Sequence, residues 1–325
     1  MAETLPANPN TERGESARQL HVIVNPMSGN GRTRDAWPTI DRRLQRLGFQ
    51  TDFRMTQSAG DGIRLGREAI EAGVDEVVVV GGDGTLNEVV NGLFLASHGA
   101  PPDVTLSVIP AGTGRDFSRS IGLRSFDHSL ETLGAGVITQ IDAGRVDYTT
   151  DDGSQARYFV NAGDVGLGAE TAALLNRSSK LLGGKLSYFL GAARSIFSYS
   201  GQPATIIADG ELVHDGLLAM TCFANGRYHA GGMLMAPNAS LTDGAFDLLI
   251  LDDVPKYTLL GSLLPSVYVG RHLNHPNVTH RLAREIRISS PGTLLFEVDG
   301  EQPGTTDICV TLLPLALRIR MPAGQ

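Results

Sequence analysis

Gly81-Gly82-Asp83-Gly84-Thr85 places one carboxylate among three glycines, directly after the apolar run Val77–Val80. Glycine lets the backbone turn at positive φ and puts no side chain in a ligand's way. Thr85 suits the N-cap of the helix that follows, with Glu88 three residues on as its capping-box partner. The bare N–H groups at such a helix end attract anions. A carboxylate there repels phosphate, so Asp83 is expected to act through a cation or on a proton. The combination points to nucleotide chemistry.

Two more loops have this character. Asn25-Pro26-Met27-Ser28-Gly29-Asn30-Gly31 and Pro110-Ala111-Gly112-Thr113-Gly114 each follow an apolar strand and carry small or hydroxyl-bearing residues. No segment reads GxxxxGK[ST]: Gly183-Gly184-Lys185 continues with Leu186 and has Ser179 where the first glycine belongs. None reads GxGxxG either. Without a P-loop lysine, phosphate binding rests on backbone N–H groups, hydroxyls and metal. Far along the chain, Asp299-Gly300-Glu301 sets two acids on either side of a glycine. In an extended segment both would face one side; the alternative is a hairpin turn.

The elements that must position these groups alternate. Strands at Leu20–Val24, Thr51–Met55, Glu76–Val80 and Val104–Ile109 are separated by helices at Arg34–Leu47, Gly60–Ala72 and Thr85–Ser97. That spacing indicates βαβ units and a parallel sheet, with ligands at the carboxyl ends of its strands. After about Asp142 short alternating segments take over, among them Arg157–Ala162, Leu217–Phe223, Phe246–Leu251 and Thr293–Val298. These predict an antiparallel β domain, a sandwich or distorted barrel. Helical stretches at Glu170–Phe197 and Lys256–Gly270 interrupt it, and residues 1–18 read as a disordered tail.

With 42% hydrophobic and 19% charged residues the chain has the composition of a soluble globular protein. A net charge of −8 argues against a general nucleic-acid binder. Cys222 and Cys309 lie in apolar strand-like settings and read as reduced thiols, consistent with a cytoplasmic protein. Met1–Gln19 contains no apolar run that would serve as a signal peptide. The eight histidines lack metal-ligand spacing, and His229, near the cleft, is given a surface or packing role.

On these motifs the chain resembles the diacylglycerol kinase catalytic-domain superfamily. Asn25–Gly29 looks like the family's first nucleotide loop. Gly81–Thr85 with Asn87-Glu88-Val89-Val90-Asn91-Gly92 is similar to its signature. Ile109–Phe117 resembles its third loop, except that Arg115 stands where the family usually has Asn. The resemblance implies a three-layer, NAD-kinase-like α/β domain over residues 19–142. A returning segment at about 314–325 completes that domain, and residues 143–313 form a C-terminal antiparallel β-sandwich domain. It implies MgATP as phosphate donor, contacted by Asn25, Pro26, Met27, Ser28, Gly29, Thr56, Gly81, Gly82, Asp83, Gly84, Thr85, Leu86, Asn87, Gly112 and Thr113. Asp83, Asp299 and Glu301 are the implied catalytic carboxylates, with Glu301 placed ahead as the base that deprotonates a lipid hydroxyl. A further Mg²⁺ is implied at the Asp243 carboxylate and the carbonyls of Ser240 and Ala245; an ordinary Asp-Gly hairpin is the alternative there.

The resulting expectation is a lipid kinase acting on diacylglycerol. The rivals are an NAD kinase-like or phosphofructokinase-like enzyme and a catalytically inactive lipid-binding protein. Arg177, Lys180, Lys185 and Arg194 lie in a stretch, Thr171–Ala208, with no acidic residue before Asp209. That stretch is read as a pocket lining or a peripheral, transient contact with a membrane surface, or else a core helix. Oligomeric state, including a homodimer, stays open.

Overall fold

The computed structural model describes residues 18–112, 114–171 and 199–324. In its first part β1 (Gln19–Val24), α1 (Arg32–Arg46), β2 (Gln50–Met55), α2 (Asp61–Glu71), β3 (Glu76–Gly81), α3 (Asp83–Ala96) and β4 (Thr105–Pro110) alternate. The strands pair in parallel in the order β2-β1-β3-β4. Valine runs dictate this arrangement, because β3 is buried on both faces. Val77 and Val79 pack with Leu65 of α2 and Val89 of α3. Val78 and Val80 pack with Trp37, Ile40 and Leu44 of α1. Helices therefore cover both faces, and the domain has the three layers expected of it.

The short helix α4 (Asp116–Ser120) and α5 (Phe126–Ala135) lead into the antiparallel part. This comprises β5 (Val137–Thr150), β6 (Gly153–Phe159), β7 (Ala162–Gly166), β8 (Gln202–Ala208), β9 (Glu211–Ala224) and β10 (Phe246–Asp252). Helical turns follow as α6 (Lys256–Thr258), a π-turn segment Leu259–Leu263 and α7 (Leu264–Val267). These three pieces run on without a gap from 256 to 267, as one helix was expected to; Pro265, which has no N–H to donate to the preceding turn, accompanies the π-turn inside it. Then come β11 (Val278–Ala283), β12 (Glu285–Ser289), β13 (Leu295–Val298), β14 (Glu301–Thr305) and β15 (Ile308–Met321). Phe159, Phe223, Phe246 and Phe296 fill the centre of this sandwich with Ile206, Leu248 and Ile286. Of the expected helix Glu170–Phe197, only its start is described, in a helical stretch at 167–171.

Strand β15 serves both domains. Its first half pairs antiparallel with β12, and Arg318 and Ile319 pair parallel with Thr105 and Leu106 of β4. β5 runs antiparallel along nearly all of it, with a register shift between Leu313 and Leu317. At that shift Asp142 accepts from the N–H groups of Leu315 (2.7 Å) and Gly244 (2.8 Å). The returning end is locked by Arg320, whose guanidinium makes a bidentate pair with buried Glu76 of β3 at 3.0 and 3.1 Å. Ser107 and Arg18 also donate to that carboxylate. Such planar, two-point pairing fixes direction as well as contact.

Candidate active site

Three loops from the carboxyl ends of β1, β3 and β4 meet at one edge of the parallel sheet. Asn25 Nδ2 donates to Thr85 Oγ1 at 2.7 Å and so joins the first loop to the second. Gly112 packs against Gly82 so closely that a β-carbon on Gly112 would lie 2.5 Å from the Gly82 Cα. Gly29 sits at φ 62°, with its missing β-carbon 2.9 Å from the Ala111 carbonyl oxygen. Any side chain at these positions would push the loops apart.

The helix after β3 starts two residues before Thr85. Its N-cap is Gly82, without a side-chain cap, and Asp83 is in the first turn. The expected capping box is therefore absent. Glu88 instead crosses to α2, accepting from Gly60 N (2.8 Å) and Gly62 N (2.9 Å). It satisfies orphan donors at the start of the neighbouring helix, a role local sequence spacing cannot reveal.

Asp83 turns toward the third loop. Its carboxylate accepts from Asp116 N at 3.2 Å and Phe117 N at 3.3 Å, capping α4. Burial, and next the charge of Asp116, push its carboxyl up to about 6. Asp116 is held by Arg119 and by Gly231 N, each at 2.7 Å. Arg115, just before it, has φ 59°, a left-handed conformation that asparagine tolerates better than arginine.

The Asp299–Glu301 pair divides into two roles. Asp299 (φ 50°) and Gly300 (φ 88°) form the two-residue turn between β13 and β14, so the hairpin reading holds and the extended one does not. Asp299 points inward. Its oxygens accept from Val160 N (3.0 Å), Asn161 N (3.0 Å), Ala162 N (3.2 Å) and Asn87 Nδ2 (3.1 Å). These donors explain why the expected strand Arg157–Ala162 is broken into β6 and β7: residues 160–162 turn their N–H groups onto a carboxylate. Burial raises the Asp299 carboxyl, and the four donors oppose the shift. Asn87 also receives Arg157 through its Oδ1 at 2.8 and 3.1 Å.

Glu301 faces the glycine loop. Its Oε1 lies 2.8 Å from where a β-carbon on Gly84 would be, and no hydrogen bond to its carboxylate exists among the described residues. Burial raises its carboxyl, with Arg157 pulling the other way. A half-buried, uncommitted carboxylate opposite a phosphate-type loop is suited to taking a proton.

These groups line one cavity of about 920 Å³. Asn25, Met27, Ser28, Gly29, Thr56, Gly82, Asp83, Gly84, Thr85, Leu86 and Gly112 form its glycine-loop wall, and Glu301 and Asp299 line it too. Pro26, Gly81 and Asn87 stand behind that wall and shape it; Thr113 lies outside the described residues. The cavity continues past Leu167, Met220, Leu249, Leu260, Leu263 and Val267 into apolar space.

Sequence reasoning missed three residues at the neck. Asp164, His229 and Glu297 are buried together, His229 Nε2 lying 3.0 Å from Asp164 Oδ2 and 2.8 Å from Glu297 Oε1. His229 is not the packing or surface residue it was read as. Burial acts to lower its basicity, but the Glu297 and Asp164 charges outweigh this and raise it. Burial pushes Glu297 up to about 7. For Glu297 the one visible signal was an acid within the apolar strand Leu295–Val298.

The Ser240–Ala245 loop lies apart from the cavity. Asp243 Oδ1 accepts from Ala245 N at 3.2 Å, and burial raises its carboxyl, with Asp247 and Asp142 adding to the effect. Oxygen donors beside uncompensated negative charge suit a hard cation. At the glycine-loop wall Asp83 and Asp116 also bring two carboxylates together, although Arg119 pairs with one oxygen of Asp116.

Residues 19–146 match the diacylglycerol kinase catalytic domain, and residues 162–321 match the YegS C-terminal NAD kinase beta sandwich-like domain. The chain belongs to the diacylglycerol kinase catalytic-domain superfamily. It is 29% identical over 288 residues to a diacylglycerol kinase of Staphylococcus carnosus, covering 88% of this chain and 90% of that one. It is 29% identical over 295 residues to a diacylglycerol kinase of Bacillus subtilis, covering 88% and 91%. The crystal structure of a diacylglycerol kinase from Bacillus anthracis shares the fold, with a TM-score of 0.70 at 20% identity over 96% of this chain and 99% of that one. Among the described residues no helix is long and apolar enough to cross a membrane.

Proposed function

We propose that this kinase transfers the γ-phosphate of MgATP to a lipid hydroxyl, with diacylglycerol as acceptor and phosphatidate as product. The observation that carries the reading is the single cavity, which joins the glycine loops and Glu301 to an apolar chamber. A soluble sugar phosphate or a dinucleotide has no use for a chamber lined by Leu249, Leu260, Leu263 and Val267. Exposed Tyr257, Tyr268 and Val269 flank these turns and offer a peripheral contact with a bilayer.

In this reading the loops at 25–29 and 82–85 receive the donor's phosphates through N–H and hydroxyl groups. Glu301 accepts the acceptor's hydroxyl proton. The oxygen so activated bonds to the γ-phosphorus as the bond to the bridging β–γ oxygen breaks. Asp83 and Asp116 are the residues that would hold Mg²⁺ on the nucleotide side, and Asp243 with Ser240 and Ala245 would hold a further ion. Magnesium supplies neutralisation of charge on the phosphates. Asp299 keeps the Glu301 turn fixed against residues 160–162, so its contribution is to position the base.

The test is transfer of label from γ-labelled ATP to mixed micelles of diacylglycerol, with the product identified. Labelled phosphatidate formed by the native chain and abolished in Glu301→Gln supports the reading. Turnover with NAD or a sugar phosphate but not with lipid would replace it by a small-molecule kinase. Lipid binding without any transfer would make the protein a lipid carrier or regulator.

A further inference from the structure

Strand register brings two buried acids face to face. Glu297 of β13 is paired directly with Asp164 of β7 across the antiparallel ladder. Like charges opposite one another destabilise a sheet, and both side chains are about 2% exposed. Among the described residues neither carboxylate is paired with a lysine or arginine. The one group set between them is His229, which faces both through a single ring nitrogen, Nε2.

The one Nε2–H is aligned on Asp164 Oδ2 at 3.0 Å, and Glu297 Oε1, 2.8 Å from the same nitrogen, shares that single donor out of line. Asp164 Oδ1 is buried and unpartnered. Buried polar atoms normally find partners, so one orphaned and one poorly served carboxylate oxygen in one cluster call for a missing cation.

The geometry suits one. Ligands about 2.1 Å from a metal are about 3.0 Å apart at octahedral right angles and about 3.4 Å apart at tetrahedral angles, so short separations suit a five- or six-coordinate ion. The separations here are 3.0 and 2.8 Å, and all three candidate ligand atoms lie within 4.8 Å of one another. One imidazole nitrogen with two carboxylate oxygens suits manganese or zinc better than magnesium, which favours oxygen alone. A divalent ion with a neutral imidazole would also bring the buried cluster to zero net charge.

We propose that Asp164, His229 and Glu297 form a binding site for a divalent first-row metal ion of the Mn²⁺ or Zn²⁺ type. The site is separate from the Asp243 loop and from the Asp83 wall. All three residues line the cavity that also takes in the glycine loops and the apolar chamber, and this shared lining is its neck. Coordination positions left open on the ion would therefore face whatever enters that neck. His229 gives its proton to solvent when the ion binds.

The test reads metal binding in the nucleotide-free full chain and needs no turnover. Stripped native protein is loaded with one equivalent of MnCl₂ and examined by pulsed EPR. Coupling of the electron spin to a directly bonded ¹⁴N is expected, because this is the one all-described site of the three that offers imidazole. Absence of that coupling overturns the proposal. In equilibrium dialysis, His229→Gln is expected to bind one Mn²⁺ fewer per chain than the native protein, while Asp243→Ala keeps the nitrogen-coupled ion. A folded His229→Gln with unchanged stoichiometry and unchanged coupling also overturns it.

Discussion

Removing the Asp299 side chain should destabilise this protein, whereas neutralising Glu301 should only stop it turning over. The two acids are two residues apart, yet their surroundings differ completely. Asp299 accepts four hydrogen bonds, three from the consecutive backbone N–H groups of residues 160–162 and one from Asn87. Hydrogen bonds to a charged group contribute about 1.5–3 kcal/mol each, and they are not additive. Deleting one side of a buried charged arrangement costs about 3–5 kcal/mol. At roughly 2–4 °C per kcal/mol, Asp299→Ala should melt about 10 °C below the native chain. Asp299→Asn should lose nearly as much, because its NH₂ group is turned toward two donors. Glu301 has no hydrogen bond among the described residues, so Glu301→Gln should leave melting within about 0.5 kcal/mol of native. Its kcat should fall by about 10²–10⁴, the usual contribution of a general base. Differential scanning calorimetry and labelled-ATP transfer on the same preparations read both effects. An Asp299→Asn protein with native melting and no activity would refute the division, placing Asp299 in the chemistry.

The pH dependence should report raised carboxyls. A base works ionised, so activity should fall as pH drops through its elevated titration, with Asp83 at about 6 in the same limb. A kcat/KM profile flat from pH 8 down to about 5 would contradict this. Arg115→Asn should stabilise the chain by roughly 0.5–1 kcal/mol, since φ 59° costs arginine more; urea titration checks it, and a loss of stability would argue that the Arg115 Nε bond to the Gly112 carbonyl matters more. Mg²⁺ at a hundredfold excess over its Kd should stabilise the native chain by about 2.7 kcal/mol. Asp243→Ala should lose the share of that gain that the 240–245 loop contributes, and an undiminished gain would make the loop an ordinary hairpin.

The meeting of the glycine loops was legible because its signals are local. Strand, glycines and helix follow one another within a dozen residues, and each limits its neighbour's backbone. The sandwich was legible as a class from alternation, though β7 was hidden because Gly163 and Gly166 read as turn residues. The Glu88 cap and the Asp299 cradle were not legible, since each joins groups that the fold alone brings together. The same holds for Asp164, His229 and Glu297. Nothing near any one of them in the chain names the other two, and only the pairing of β7 with β13 puts them in contact. The four basic residues at 177–194 lie outside the described residues.

The strand shared by both domains has a consequence for synthesis. β4 emerges from the ribosome roughly 200 residues before β15, its partner on the outer side. Until then the parallel sheet has an open edge, and buried Glu76 waits for Arg320. Exposed strand edges recruit other chains. The amino-terminal domain therefore cannot finish folding first, as independent domains often do. Its completion is tied to a strand made roughly 200 residues later, so a nascent chain stalled before residue 308 would carry an amino-terminal domain that is partly built and prone to aggregate.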